Sequence, residues 1–160
     1  MSAQGAQKYG DRPYVFHLDA VAKLAEPHGE DAVVVAYLHD VVEDTETTAD
    51  AMENLFGRRV AACVGLLSDE PGRSRKERKA KTYAKLAEVR RPNEWALIVK
   101  AADRLTNVRA CLADRKQSLW EVYRGEHAVF RRAAFRAGLC DPLWSELDSL
   151  LTESAFDANV

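Results

Sequence analysis

A chain of 160 residues with 47% hydrophobic and 30% charged residues has the size and balance of one globular domain that buries roughly two thirds of its unfolded surface. Its formal charge of -2 gives no general attraction to nucleic acid or to an anionic membrane, so neither is an expected partner, and an anionic ligand must be held by a local cluster of bases. Cys63, Cys111 and Cys140 are odd in number and lack Cys-x-x-Cys spacing, which favours reduced, buried thiols; with no signal-peptide core and no stretch approaching the ~18 apolar residues of a membrane span, the expected location is cytoplasmic.

In chain order the segments read as helices. Val15, Leu18, Val21, Ala22, Leu24 and Ala25 follow the i, i+3, i+4 pattern, and Pro27 with Gly29 closes that segment. The Ala32 to Leu38 run carries three consecutive valines, yet no second strand candidate exists to pair with it, so it reads as a buried helix. Thr47 or Thr48 caps a helix with Ala51, Met52, Leu55 and Phe56 on one side; it stops at Gly57, and Val60, Val64 and Leu67 continue on another. Residues 68–74, with Pro71 and Gly72, form the longest loop. A strongly charged helix follows over Lys76 to Val89, and Pro92 suits the first turn of a helix from about Asn93 to Ala113. Two more are expected, around Ser118 to Phe135 and from an Asp141 cap with first-turn Pro142 to about Phe156. The expected architecture is all-α, a bundle of about seven to nine helices in a single domain over 1–160, with a short lead at 1–12 and packing helices at 114–160.

Chemistry concentrates in Tyr37-Leu-His-Asp-Val-Val-Glu-Asp-Thr-Glu46, which sets His39, Asp40, Glu43 and Asp44 at the end of an apolar run. Imidazole and carboxylate donors suit a divalent ion such as Mn²⁺, Fe²⁺ or Zn²⁺. Asp103, on an apolar helix, and His17, on the first helix, complete a set that three helices could converge on one ion, leaving coordination positions open. A bland alternative pairs Asp103 with Lys100 or Arg104 and makes His39-Asp40 a helix cap. Glu43 and Asp44, three and four residues beyond Asp40, are candidates for general acid or base, or for charge at the next helix's N-terminus. The bases of the charged helix, Lys76, Arg78 and Lys79 among them, are candidates to neutralise phosphate. His28 and His127 read as structural or incidental, so one ion is expected.

These residues resemble the HD-domain phosphohydrolases and, within them, small single-domain RelA/SpoT-type hydrolases of (p)ppGpp. The resemblance rests on Pro13-Tyr-Val-Phe-His17, Leu38-His-Asp-Val-Val-Glu-Asp-Thr45, Ser68-Asp-Glu70, Glu77-Arg-Lys79 and Val99-Lys-Ala-Ala-Asp-Arg-Leu-Thr-Asn107. It implies an all-helical fold, Mn²⁺ on His17, His39, Asp40 and Asp103, water activation by Glu43 and Asp44, and Asn107 near the nucleotide ribose. Arg104, beside Asp103, is a further candidate substrate contact. The implied reaction removes the 3′-pyrophosphate to give GDP or GTP. Where the family has an Arg-Lys pair upstream of the first ligand, this chain has Gln7-Lys8-Tyr9, making Lys8 and Tyr9 the candidate base contacts. The alternatives are a broader nucleotide phosphohydrolase, acting on NADPH or nucleotide monophosphates, and a non-catalytic nucleotide-sensing module. A homodimer surface could lie among the C-terminal helices.

Overall fold

The computed structural model describes residues 8–9 and 12–158, with the side chains of Lys8, Tyr9 and Asp44 outside what is described. Two two-residue strands, β1 (Lys8–Tyr9) and β2 (Arg12–Pro13), pair antiparallel, Lys8 opposite Pro13 and Tyr9 opposite Arg12. Helices follow: α1 (Val15–Ala25), a 3₁₀ turn (Glu26–His28), α2 (Glu30–Leu38), α3 (Val41–Asp44), α4 (Ala49–Phe56) and α5 (Arg58–Leu67). After them come α6 (Arg75–Ala87), α7 (Trp95–Ala113), α8 (Gln117–Ala134), α9 (Asp141–Leu150) and α10 (Ala155–Ala158). The all-α expectation holds, with eight helices of eight residues or more and two single turns, α3 and α10, among the described residues.

The longest helix, α7, is the axis of the bundle. Its first two turns are apolar but for Lys100, Ala96 to Ala102 being buried on every side, as a helix enclosed by others must be. It packs against α1, α2, α5, α8 and α9, so a polar side chain on it either finds a partner or opens into a cavity. The three valines of α2 are helical as expected: Val35 is fully buried, and Val33 and Val34 pack on the same core. Tertiary burial overrides their β preference.

Two boundaries differ from expectation for local reasons. Helix α7 begins at Trp95, because Pro92 lies in the turn at 91–94 that precedes it and does not enter the first helical turn. The final segment breaks at Leu150 into α9 and α10. Cys140, not Asp141, is the residue before α9, and the Asp141 carboxylate accepts from the Gly138 N–H at 2.9 Å. The Thr48 cap is as expected, its hydroxyl accepting from Ala51 N–H at 3.2 Å, and Gly57 ends α4 at φ 89, a conformation in which a side chain would be strained. All three cysteines are free and buried, and burial raises each thiol pKa, that of Cys140 to about 11. They are inert rather than reactive. No helix among the described residues is long and apolar enough to cross a membrane.

Candidate metal centre

Three helices deliver the cluster. His17 sits in the first turn of α1, His39 follows the last residue of α2, and Asp103 lies midway along α7. His17 Nε2 is 3.0 Å and His39 Nε2 3.4 Å from the same oxygen, Asp103 Oδ1. The three ligand atoms all lie within 4.8 Å of one another, and both imidazoles are buried. The bland pairing fails on geometry: Lys100 turns to the Leu67 carbonyl at 3.3 Å, and Arg104 to Glu126 at 3.3 Å.

The break between α2 and α3 places the His-Asp pair. Asp40, at φ -105 and ψ 1, is non-helical, and this kink turns its carboxylate back beside His39, with Oδ2 3.2 Å from Nε2. The Tyr14 hydroxyl donates to that same oxygen. Asp40 thus stands beside the three-residue cluster rather than within it. His39 Nδ1 lies 2.5 Å from the Ala36 carbonyl, which can only accept, so Nδ1 carries a proton and the neutral ring offers its Nε2 lone pair to the cluster. That is the tautomer a metal ligand requires, fixed by a backbone oxygen.

The electrostatics carry the same message. Burial pushes Asp103 towards the neutral acid, but hydrogen bonds and charge from His17 and His39 outweigh it and hold the carboxyl well below its ordinary range. Burial pushes the His39 imidazole down, while the Asp103 hydrogen bond and charge lift it above its ordinary value. Two imidazole nitrogens aimed at one carboxylate oxygen need positive charge between them. Either a proton or a cation supplies it, and the donor set fits a divalent ion.

Around the cluster is a polar cavity of about 210 Å³, lined by Tyr14, His17, Asp40, Glu43, Leu67, Asp69, Lys79, Lys100, Asp103 and Asn107. Glu43, exposed at the rim, accepts from the Asp69 N–H at 2.5 Å. Asn107, one turn beyond Asp103, donates to its Oδ1 at 3.2 Å. Of the charged helix only Lys79 lines the cavity; Lys76 is exposed outside it, and Arg78 points to the Gly72 carbonyl at 3.5 Å. A larger cavity of about 510 Å³, between the end of α1 and the start of α9, holds no such cluster among the described residues.

Arg104 corrects a sequence expectation. It is buried on the other side of α7, hydrogen-bonded to Tyr83 Oη at 2.6 Å, ion-paired to Glu126 and lying over the Tyr123 and Phe130 rings at 4.7 and 4.4 Å. One residue along a helix is a rotation of about 100°, enough to send Asp103 into the cavity and Arg104 into the core. His127 pairs with Asp148 at 2.7 Å and His28 borders the larger cavity, so neither reaches the cluster. The expectations for Lys8, Tyr9 and Asp44 fall on side chains outside the described ones. Sequence reasoning missed Tyr14, Asp69 and Lys100 as parts of the site. Tyr14 had a signal, three residues before His17 and hence on the same helical face, whereas Asp69 sits in a loop with no periodicity to place it.

Comparison with known proteins adds the following. The model of the HD domain matches residues 1–140. A Synechocystis protein named probable guanosine-3′,5′-bis(diphosphate) 3′-pyrophosphohydrolase is 34% identical over 155 residues, 94% of this chain but 20% of the relative. The zebrafish (Danio rerio) guanosine-3′,5′-bis(diphosphate) 3′-pyrophosphohydrolase MESH1 is 34% identical over 101 residues, 61% of this chain and 54% of the relative. The chain therefore spans about a fifth of the Synechocystis protein and about half of the zebrafish one. A solved structure described as a metazoan SpoT ortholog that hydrolyses ppGpp superposes with a TM-score of 0.67 at 24% identity, covering 91% of this chain and 88% of that one, which establishes a shared fold.

Proposed function

Since the chain belongs to the HD-domain family, whose domain implies a bound divalent metal, we propose that it is a metal-dependent phosphohydrolase that removes the 3′-pyrophosphate of (p)ppGpp, leaving GDP or GTP. The observation that carries this reading is one cavity in which an imidazole–carboxylate cluster faces two ammonium groups, Lys79 and Lys100. Cation ligands and phosphate-neutralising bases meet where a phosphoryl group must lie. The relatives' named substrate supplies the guanosine 3′-pyrophosphate part of the reading.

His17, His39 and Asp103 would hold the ion, with Asp40 as fourth ligand, and Mn²⁺ is the ion we assign ahead of Fe²⁺ or Zn²⁺. When bound, it supplies Lewis acidity towards a phosphoryl oxygen and acidifies water. The remaining steps belong to side chains. The Ala36 carbonyl locks the His39 tautomer, and Tyr14 and Asn107 orient Asp40 and Asp103. Lys79 and Lys100 neutralise the pyrophosphate oxygens. Glu43, at the rim and with Asp44 beside it in sequence, takes the proton from the attacking water as the bond between phosphorus and the ribose 3′ oxygen breaks, and that proton ends on the 3′ hydroxyl. A cavity of 210 Å³ corresponds to about seven waters at ~30 Å³ each, room for a pyrophosphoryl group, so the nucleoside would lie across the rim, towards Asn107 and the β1–β2 lead with Lys8 and Tyr9.

A substrate panel with Mn²⁺ tests this. ppGpp should be turned over faster than GMP, AMP or NADPH. Faster hydrolysis of the simple monophosphates or NADPH would replace the reading with a broader phosphatase, and no turnover of any would replace it with a nucleotide-sensing module.

A further inference from the structure

Asp69 reaches the cavity with two different groups. Its backbone N–H donates to Glu43 Oε1 at 2.5 Å, and its Oδ2 accepts from Lys79 Nζ at 2.6 Å. The second oxygen, Oδ1, is buried without a hydrogen bond among the described residues and faces Lys100 Nζ at 3.9 Å. A carboxylate beside a phosphate pocket would repel the ligand unless its charge were already committed, and here both oxygens turn to ammonium groups. The lysines need it: burial and the neighbouring Lys100 both push Lys79 towards neutrality, and Asp69 opposes them. Burial pushes the Asp69 carboxyl up, but Lys79, Lys100 and Arg75 together hold it below its ordinary range, so it stays charged.

The loop that carries Asp69 is fixed from both ends. Lys85 donates to the Ser68 carbonyl at 2.8 Å and pairs with Glu70 at 2.7 Å, and the Glu70 N–H donates to Thr82 Oγ1 at 2.9 Å. Gly72 packs so closely on the first turn of α6 that a Cβ there would stand 3.0 Å from the Arg78 backbone nitrogen. A loop tied down in this way can hold a position to a fraction of an ångström.

Resting on the phosphohydrolase reading above, the geometry points to Asp69 as a positioning residue that sets the phosphate-gripping lysines and the proton-accepting Glu43 in register: its carboxylate holds Lys79 against Lys100 while its amide holds Glu43. Displacing reacting groups by about 1 Å costs on the order of 10²-fold in rate.

The test compares the wild-type full chain with Asp69→Asn, Lys79→Met and the double variant, all Mn²⁺-loaded, by ppGpp kinetics and by calorimetric binding of inorganic pyrophosphate, with thermal melts as the folding control. Asp69→Ser takes the place of Asp69→Asn if the latter does not fold. The expected result is a loss of about 10- to 10²-fold in kcat/KM for each single variant and no further loss in the double, because the two act as one unit. Pyrophosphate binding should weaken at least tenfold in Asp69→Asn, and Asp69→Glu should regain part of it. A folded Asp69→Asn within twofold of wild type in pyrophosphate binding, losses that multiply in the double variant, or a wild type that does not bind pyrophosphate overturns the inference. Absence of ppGpp turnover in a wild type that does bind pyrophosphate, with weakened binding in Asp69→Asn, overturns the substrate reading and leaves the Asp69 inference standing.

Discussion

Asp103 and Arg104 are neighbours in sequence and opposites in role. The first is held as a carboxylate by two imidazoles. The second joins Glu126, Tyr83 and Arg75 in a partly buried charged knot: Arg75 Nε to Glu126 at 2.7 Å, Tyr83 Oη donating to Glu126 at 2.9 Å. Asp103→Asn should strip the bound metal, read by elemental analysis, and lower turnover by at least 10²-fold, because the amide can no longer serve both imidazoles as a charged partner. Arg104→Met should instead leave KM within about twofold and cost about 2 kcal/mol of stability, since it removes the buried hydrogen bond to Tyr83 and one of the two guanidinium partners of Glu126. A raised KM at unchanged stability would return Arg104 to the substrate site. Glu126 adds a pH signature. Burial pushes its pKa up, but Arg75, Arg104 and Tyr83 hold it below the ordinary glutamate value, so its stabilising contribution is present above that value and is lost as pH falls through the depressed one. The stability difference between wild type and Glu126→Gln, measured by denaturant melts, should be full near pH 7 and shrink as the pH falls below about 4.5.

At the scale of elements, residue type made the candidate ligands legible and helical period the faces they lie on. His39, Asp40 and Asp103 announce themselves because few structural roles need imidazoles and carboxylates at the end of apolar runs. The i, i+4 spacing of Asp103 and Asn107 puts both on one face, as found. What period could not supply is which face of α7 and of α6 meets the cavity, and that choice admits Asp103 and Lys79 and leaves out Arg104, Lys76 and Arg78. Nor could it place a loop: Asp69 is fixed by contacts from α3, α6 and α7, and none of these is local. The start of α7 at Trp95 depends on a turn whose geometry lies outside any helical pattern. Helix α6 offers a direct check of element and function together. Ser74 caps it by accepting from Glu77 N–H at 3.2 Å, and Glu77 returns to Arg73 N–H at 2.9 Å. Ser74→Ala should cost about 1 kcal/mol, seen as a lower melting temperature, and loosen Lys79, seen as a raised KM.

For the whole molecule, the bundle brings α1, α2 and α7 to one point, and on the proposed reading an ion at that point would tie them together. An ion at about a hundred times its dissociation constant adds about 2.7 kcal/mol to stability, or roughly 5 to 10 °C in Tm for a domain of this size. Chelation should therefore lower Tm by that amount, and Mn²⁺ should restore it; a Tm indifferent to both would separate the cluster from metal binding. The most direct test of the account counts products. Mn²⁺-loaded protein given ppGpp should release one pyrophosphate for each GDP formed, and chelation or Asp103→Asn should abolish both; release of single phosphates, or equal turnover in the chelated protein, would contradict it.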